Sequence, residues 1–185
     1  MTSQTFSLER IGTPTGPMLL VTDDEHRLRA LDWEDHEARM RRLLQRHYGA
    51  EAVQLRDAAR PSKPRRALES YFEGDIDAIT GALTATNGTD FQHKVWAELR
   101  QIPAGHPISY GALAIRIGKP KAMRAVGLAN GANPIAIFVP CHRVIGANNS
   151  LTGYRGGLER KHWLLRHEQA GDDMFNAQCR KVDAI

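Results

Sequence analysis

The sequence contains very little cysteine. Its 185 residues include two, Cys141 and Cys179. One pair is too few for a disulfide framework, and no spacing of cysteine and histidine resembles a zinc site. We therefore expect reduced thiols and no bound metal, as in a cytoplasmic protein.

Long apolar runs are also missing. No stretch approaches the roughly eighteen consecutive apolar residues of a membrane-spanning helix. The first residues, MTSQTFSLERIG, lack the basic region and apolar run of a signal peptide. Hydrophobic residues make up 42% and charged residues 25%, which is an ordinary balance for a globular protein. We expect a soluble protein that does not bind membranes.

Acidic residues are absent from 101–150, although this span contains five basic residues. Over 91–168 the chain has eleven lysines and arginines against three acids. Solvated surfaces usually mix both signs, so this imbalance favours a polyanionic partner such as nucleic acid. The alternative is a chance run of low-acid sequence around a buried segment. The five basic residues are Arg116, Lys119, Lys121, Arg124 and Arg143.

The first part of the chain combines strand and helix patterns. Residues 6–33 contain two strand-like runs, a turn rich in glycine and proline, and a second connection, TDDEHR. Residues 34–48 and 64–73 have helical character, with Pro64 near the start of the second helix. The intervening AARPSKP is predicted to be a loop.

Three helical patterns follow. Thr89 or Asp90 caps the first, whose apolar residues recur at helical spacing up to residue 99. Two short helices, 110–117 and 121–130, flank the sequence Gly-Lys-Pro, as in a helix-turn-helix. The second is made mostly of small residues with one arginine, which favours close approach to DNA and an arginine wedge. A small-residue helix packed inside the protein is the alternative.

The segment IFVPCHRVIG, residues 137–146, contains the first cysteine. Residues 135–139 are predicted to form a buried strand that Pro140 ends, so that Cys141 lies just past the strand end. The adjacent His142 and Arg143 would lower the pKa of a reactive thiol. Neighbours in a strand point to opposite sides, so we expect the cysteine and histidine to communicate through a water. An inert buried cysteine is the alternative.

The motif PCHRVIG, preceded by RAVGLANGANP and followed by TGYRGGLERKHWLLRHE, resembles the O6-alkylguanine-DNA alkyltransferase family. The resemblance is close over 89–168 and looser over 6–88. It implies an α/β (α+β) fold with a ribonuclease-H-like β-sheet domain at 1–85. A mainly helical domain with a winged helix-turn-helix and the cysteine loop would occupy 86–170, followed by a flexible tail, 171–185. The cysteine-rich module for phosphotriester repair is absent from the sequence.

The resemblance implies direct reversal of DNA damage. Cys141 would take the alkyl group from O6 of a flipped guanine, once per molecule and without a cofactor. His142, oriented by Glu168, would accept the thiol proton, and Tyr110 would protonate the base. A thiolate suits this reaction because an alkyl ether is a poor electrophile. DNA contacts would come from Tyr110, Lys121, Arg124 and Ala125, with Arg124 filling the gap left by the base.

The resemblance also implies a pocket for the flipped base. Its lining would be Val144, Tyr154, Arg155 and Gly156, and Asn133 would be a structural hinge. Arg155 departs from the family pattern, which usually has a small residue at this position. Its side chain would either narrow the pocket or point outward to a phosphate.

Double-stranded DNA with alkylated bases is the expected partner, with no obligate protein partner and a monomer in solution. The range of alkyl groups, activity on O4-alkylthymine and clustering on DNA are left open by the sequence, as is any role of Cys179. Two rival functions explain part of the pattern. A non-catalytic helix-turn-helix regulator leaves the Cys-His-Arg motif unexplained, and a thiol-dependent hydrolase leaves the basic, acid-free helix unexplained.

Overall fold

The N-terminal part of the molecule is built on a four-stranded sheet. The computed structural model describes residues 4–49 and 53–169. The strands are β1 (Gln4–Ile11), β2 (Met18–Thr22), β3 (Leu28–Trp33) and β4 (Val53–Asp57). Their order is β3-β2-β1-β4, with β4 parallel to β1 and the other neighbours antiparallel. The β-sheet expected in this part of the chain is therefore present.

This sheet has more strands than the sequence pattern predicts. Residues 6–33 form three strands instead of two, because the TDDEHR connection separates β2 from β3. β4 was not predicted. It is a short edge strand with three exposed residues, and Val53 and Leu55 are too few to distinguish it from a loop.

Both faces of the sheet are covered, which explains the uninterrupted apolar sequence of β2. On one face Leu19 and Val21 pack in a cluster with helix α1 (Glu37–Tyr48). On the other face Met18 and Leu20 belong to a larger cluster that continues into the C-terminal part. The sheet therefore forms one wall of a core shared by both parts of the chain.

Four of the remaining helices lie close to their predicted positions, and α6 is a fifth for which no bounds were predicted. They are α2 (Lys63–Phe72), α3 (Asp90–Leu99), α4 (Tyr110–Arg116), α5 (Met123–Gly131) and α6 (Leu158–Glu168). Side chains set several of the starts: Thr89 and Gln92 form a reciprocal capping box at α3, and the Ser109 hydroxyl caps α4. None of the described helices is long and apolar enough to cross a membrane.

The connection between α4 and α5 is a tight turn, as predicted. Gly118 adopts a φ of 70°, which glycine tolerates without steric cost. α5 begins two residues later than expected, because the Ala122 amide hydrogen-bonds to the Lys119 carbonyl and closes the turn. A short parallel ladder of β5 (Ile108–Ser109) with β6 (Val144–Ile145) then holds the start of α4 against the cysteine segment.

Residues 135–139 are buried as predicted, but they do not form a strand. They make successive turns, with Ile137 at a φ of 67° and one isolated bridge between Ile135 and Leu31. The Asn133 side chain holds this segment, accepting from the Ile135 amide and donating to the carbonyls of Ile135 and Val139. An apolar run requires burial but not a strand partner, and Asn133 satisfies part of the backbone instead.

Candidate active site

Cys141 begins a 3-10 turn, Cys141–Arg143, and its side chain is almost completely buried. Burial raises the pKa of the Cys141 thiol, whereas a hydrogen bond with Asn133 and the charges of Lys161 and Arg39 act in the opposite direction. The balance leaves the thiol protonated in the free protein. A base must therefore remove this proton before the sulfur becomes a nucleophile.

Arg143 does not act on the thiol as the sequence predicts. It is buried, and its Nε and Nη2 each donate to the Glu168 carboxylate at 2.8 Å, while Nη1 donates to the Ile102 carbonyl at 2.6 Å. The cations that favour the thiolate are Lys161 and Arg39. Adjacency in sequence was misleading because the 3-10 turn directs the arginine away from the cysteine.

His142 and Glu168 are directly paired, with His142 Nε2 lying 2.8 Å from Glu168 Oε1 and both side chains fully buried. Burial would raise the pKa of the Glu168 carboxyl, but His142 and Arg143 lower it to about 2. An ionised carboxylate only accepts hydrogen bonds, so Nε2 carries a proton, and the atom of the ring that can accept a further proton is Nδ1. Nδ1 is buried and has no hydrogen-bond partner among the described residues, including the Cys141 thiol.

Tyr110 is the first residue of α4, and the β5–β6 ladder places it beside the cysteine turn. Its hydroxyl donates to the Gly153 carbonyl at 3.3 Å. The Asn130 amide lies 3.5 Å from this hydroxyl and 3.3 Å from the Cys141 carbonyl, so it connects the two. Burial, and then the charge of Cys141, raises the pKa of Tyr110, which keeps the hydroxyl available as a proton donor.

A cavity of about 20 Å³ lies beside Cys141. Such a volume holds roughly one water. Both parts of the chain line the cavity. Leu31, Trp33 and Arg39 come from the N-terminal part, whereas Asn130, Asn133, Cys141 and residues 153–156 are among those from the C-terminal part.

Three of the four predicted pocket residues line this cavity, and Val144 does not. The Val144 carbonyl accepts a hydrogen bond from Lys161 Nζ at 2.6 Å instead. Tyr154 packs edge-on against Trp33, with ring centroids 6.0 Å apart. A β-carbon at Gly156 would lie 2.5 Å from the Trp33 ring, so only glycine allows this close approach.

Arg155 is held at the edge of the cavity by its backbone. Its carbonyl accepts a hydrogen bond from Arg39 of α1, which also forms a buried ion pair with Asp32. The side chain is exposed and lies across α5, where a β-carbon at Gly131 would be 3.1 Å from Arg155 Nε. The side chain therefore lies at the edge of the cavity near the C-terminal end of α5, and both sequence expectations for it stay predictions.

Sequence reasoning missed Lys161 and Arg39. Lys161 is fully buried, and burial lowers its pKa to about 8. Its ammonium donates to the Val144 and Thr152 carbonyls, thereby joining the two ends of the loop that follows the cysteine turn. Neither residue belongs to a pattern that distinguishes it from an ordinary surface cation. The only signal was that Lys161 falls within the quoted GGLERKHWLL segment.

α5 has one buried and one exposed face. Val126, Ala129 and Asn130 are buried, and the Trp96 indole donates to the Ala129 carbonyl at 2.9 Å. The helix is therefore not enclosed within the protein. Four of the five cations of the acid-free span are exposed on or near α4 and α5, and Arg143 is the exception. The exposed side chains of this face include Arg116, Lys119, Lys121, Met123, Arg124, Ala125 and Leu128.

Two family descriptions match the chain. "6-O-methylguanine DNA methyltransferase, ribonuclease-like domain" matches residues 10–83, and "6-O-methylguanine DNA methyltransferase, DNA binding domain" matches residues 90–170. The methylated-DNA–protein-cysteine methyltransferase of Salmonella typhimurium is 52% identical over 160 residues, covering 86% of this chain and 94% of its own. The enzyme of the same name from Methanosarcina barkeri is 43% identical over 159 residues, with the same coverage.

Solved structures agree with these sequence matches. Mycobacterium tuberculosis OGT in complex with DNA aligns with a TM-score of 0.67 at 35% identity, covering 90% of this chain and 93% of that one. A structure of the O6-methylguanine methyltransferase of the same organism aligns with a TM-score of 0.67 at 36% identity, covering 93% and 98%. The chain therefore belongs to the 6-O-methylguanine DNA methyltransferase family, and it is a DNA-binding repair enzyme that transfers alkyl groups from DNA to a protein cysteine.

Proposed function

We propose that Cys141 removes the alkyl group from O6-alkylguanine in duplex DNA, and that each molecule does so once. The observation that carries this proposal is that the cysteine turn has both a proton acceptor and a proton donor beside it. On one side the His142–Glu168 pair provides a buried acceptor, and on the other Tyr110 provides a protonated donor. A displacement with proton transfer needs both.

In the proposed step, a bond forms between Cys141 Sγ and the alkyl carbon as the bond from that carbon to O6 breaks. His142 Nδ1 receives the thiol proton through a water and later releases it to solvent, while Tyr110 gives a proton to the base and regains one from solvent. The products are an S-alkyl cysteine and guanine, so atoms and charge balance without a cofactor. A thioether has no ready route to hydrolysis, which limits each molecule to one transfer.

The base must leave the duplex because its O6 lies inside the stack. We infer that the exposed face of α5 approaches the minor groove and that Arg124 occupies the space left by the base. Lys121 would contact a phosphate, and Ala125 would allow close approach of the helix. Met123 and Leu128, 51% and 70% exposed, give this face an apolar component that suits contact with an unstacked step.

Entry of the base would require displacement of the loop that contains Tyr154, Arg155 and Gly156, with Asn133 keeping the cysteine turn in place. O4-alkylthymine presents the same kind of alkyl–oxygen bond on a smaller ring, and we propose it as a second substrate. Comparison of single-turnover rates for the two lesions in one duplex sequence tests this extension. Undetectable transfer from O4-methylthymine would restrict the enzyme to guanine.

The central test uses duplex DNA that carries a radiolabelled O6-methylguanine. We expect one label per protein molecule, located on Cys141 by mass spectrometry. Cys141→Ser should abolish transfer and leave DNA binding intact, since a serine hydroxyl has too high a pKa to supply an anion near neutral pH. Label on Cys179 would overturn the assignment of Cys141. Binding without transfer would favour the regulator, and release of labelled methanol would favour a hydrolase.

A further inference from the structure

We propose that Tyr71, a residue of the N-terminal part, is a positioning residue for alkyl transfer. It would act through Glu168 on His142 and would not touch the substrate. This inference rests on the proposed function, in which His142 receives the proton of the Cys141 thiol.

The Tyr71 hydroxyl donates to Glu168 Oε1 at 3.0 Å, and both side chains are buried. The same oxygen contacts His142 Nε2 and Arg143 Nη2, each at 2.8 Å. Arg143 Nε occupies the other oxygen, Oε2. The carboxylate is thus surrounded by four donors, one of which comes from α2, almost a hundred residues away in sequence. Such a saturated buried network holds its members in one geometry.

Tyr71 is itself held firmly in place. His167 Nε2 lies 2.6 Å from the Tyr71 backbone oxygen, and the two rings meet edge-on with centroids 5.1 Å apart. Trp163 stacks on the other side of His167 at 4.8 Å. Phe72 packs edge-on against Tyr71 at 5.3 Å. These contacts pack Tyr71 between its neighbour Phe72 in α2 and His167 of α6, and they direct its hydroxyl towards Glu168 Oε1.

The hydroxyl is a permanent donor. Burial, followed by the charge of Glu168, raises the pKa of Tyr71 well above its ordinary value, whereas the pKa of Glu168 is about 2. The proton therefore stays on the phenol. The groups that face the carboxylate are Tyr71 from α2 and His142 and Arg143 from the cysteine turn.

This arrangement controls how strongly the carboxylate binds a protonated His142. Arg143 already balances the charge of Glu168, and the Tyr71 hydroxyl withdraws further electron density from Oε1. A carboxylate that lost this donor would be more basic and would hold the imidazolium more tightly. The transfer of the thiol proton to this histidine would change with the strength of that contact.

The test compares Tyr71→Phe with wild type in single-turnover transfer from free O6-benzylguanine and from methylated duplex DNA, between pH 5 and 9. We expect the rate to fall about tenfold on both substrates, the size expected for loss of one hydrogen bond to a charged group. The midpoint of the acidic limb of the rate profile should move to higher pH, and DNA affinity should not change. Tyr48→Phe is the matched control, because its hydroxyl donates to the Ala85 carbonyl away from the site.

A second variant keeps the shape of the residue. 3-Fluorotyrosine at position 71 retains the hydroxyl and makes it a stronger donor, so the acidic limb should move to lower pH while the rate stays near that of wild type. Opposite shifts for the two variants would support the positioning role. If Tyr71→Phe does not fold, the shift of the 3-fluorotyrosine variant relative to wild type tests the role by itself. If the wild type transfers the alkyl group, and every variant that folds keeps the wild-type midpoint of the acidic limb, this inference alone is overturned. Absence of transfer in the wild type would instead overturn the proposed function.

Discussion

Glu168 is the single residue on which the polar contacts around the cysteine turn converge. Its carboxylate is fully buried, yet it stays ionised because Arg143 and His142 provide charge and hydrogen bonds that outweigh the loss of solvent. A buried charge of this kind stabilises the fold only while its partners are in place. The same residue that orients His142 therefore links the site to the acid stability of the whole protein.

We predict that this link is measurable by urea denaturation between pH 7 and pH 3. The pKa of Glu168 falls from an ordinary value of 4.5 to about 2 on folding, so its contribution is complete above about pH 4.5 and is lost as the pH falls towards 2. The full contribution is about 3 kcal/mol. Glu168→Gln should lower the free energy of unfolding at neutral pH and flatten its decline in acid.

Glu159→Gln provides the control, because Glu159 lies exposed in the same helix. This variant should keep the acid dependence of the wild type. Identical slopes for the wild type and Glu168→Gln would mean that the carboxylate is not ionised in the folded protein.

At the scale of the element, one face of α5 packs in the core and the other is exposed to solvent. Val126 and Ala129 pack inward, while Arg124 and Lys121 lie near its exposed N-terminal end. Small residues keep the helix close to its neighbours, with the Gly127 position about 4 Å from the Tyr110 ring. If DNA displaced α5, the position of Tyr110, next to the thiol, would therefore change as well.

Arg124 and Lys121 should differ in what they contribute to repair. Arg124→Ala is expected to slow repair of duplex DNA by about two orders of magnitude, because unstacking a base step costs a few kcal/mol. Transfer from free O6-benzylguanine, which needs no extrusion, should be nearly unchanged. Lys121→Ala should weaken binding to all sequences and reduce the slope of log affinity against log salt by roughly one. Equal losses on both substrates for Arg124→Ala would assign that residue to the fold or the pocket.

At the scale of the whole molecule, the two parts of the chain share one hydrophobic core. Trp33 and Leu68 from the first part pack in the same cluster as Val95, Leu99 and Leu164 from the second. Polar contacts cross the same boundary: Arg160 stacks over Trp33 at 4.9 Å and pairs with Asp35 at 3.0 Å. The site is assembled across this boundary, since Tyr71, Arg39 and Trp33 all reach it from the N-terminal part.

A shared core predicts a single cooperative unfolding transition. Tryptophan fluorescence and far-ultraviolet circular dichroism should give coincident curves in urea. Leu68→Ala, at a fully buried position, should lower the free energy of unfolding by about 2–5 kcal/mol and shift both curves together. Leu83→Ala, at a position that is 65% exposed, should shift neither curve appreciably. Two separate transitions would show that each part has an independent core.

The part of the site that the sequence could predict is the part covered by the family resemblance. Cys141, His142, Tyr110 and Glu168 were all identified through the family resemblance, and the structure places them around one buried thiol and its histidine. The Val144 carbonyl, which the resemblance assigns to the base pocket, accepts a hydrogen bond from Lys161, and its place in the pocket stays a prediction. The Lys161 contact joins residues 17 positions apart, and the sequence pattern does not specify it.

The sequence by itself determined helices α1 to α5, the cap of α3 and the basic surface of α4 and α5, because these depend on residues within a few positions of one another. It also determined that residues 135–139 are buried. Only the tertiary structure decided that these residues form turns and that Arg143 binds Glu168. It also decided that the charges of Lys161 and Arg39, and not that of Arg143, favour the thiolate of Cys141. The Tyr71–Glu168 contact joins residues 97 positions apart, and it exists because α2 and α6 pack together. Such contacts follow from the packing of the shared core, which no short-range sequence pattern specifies.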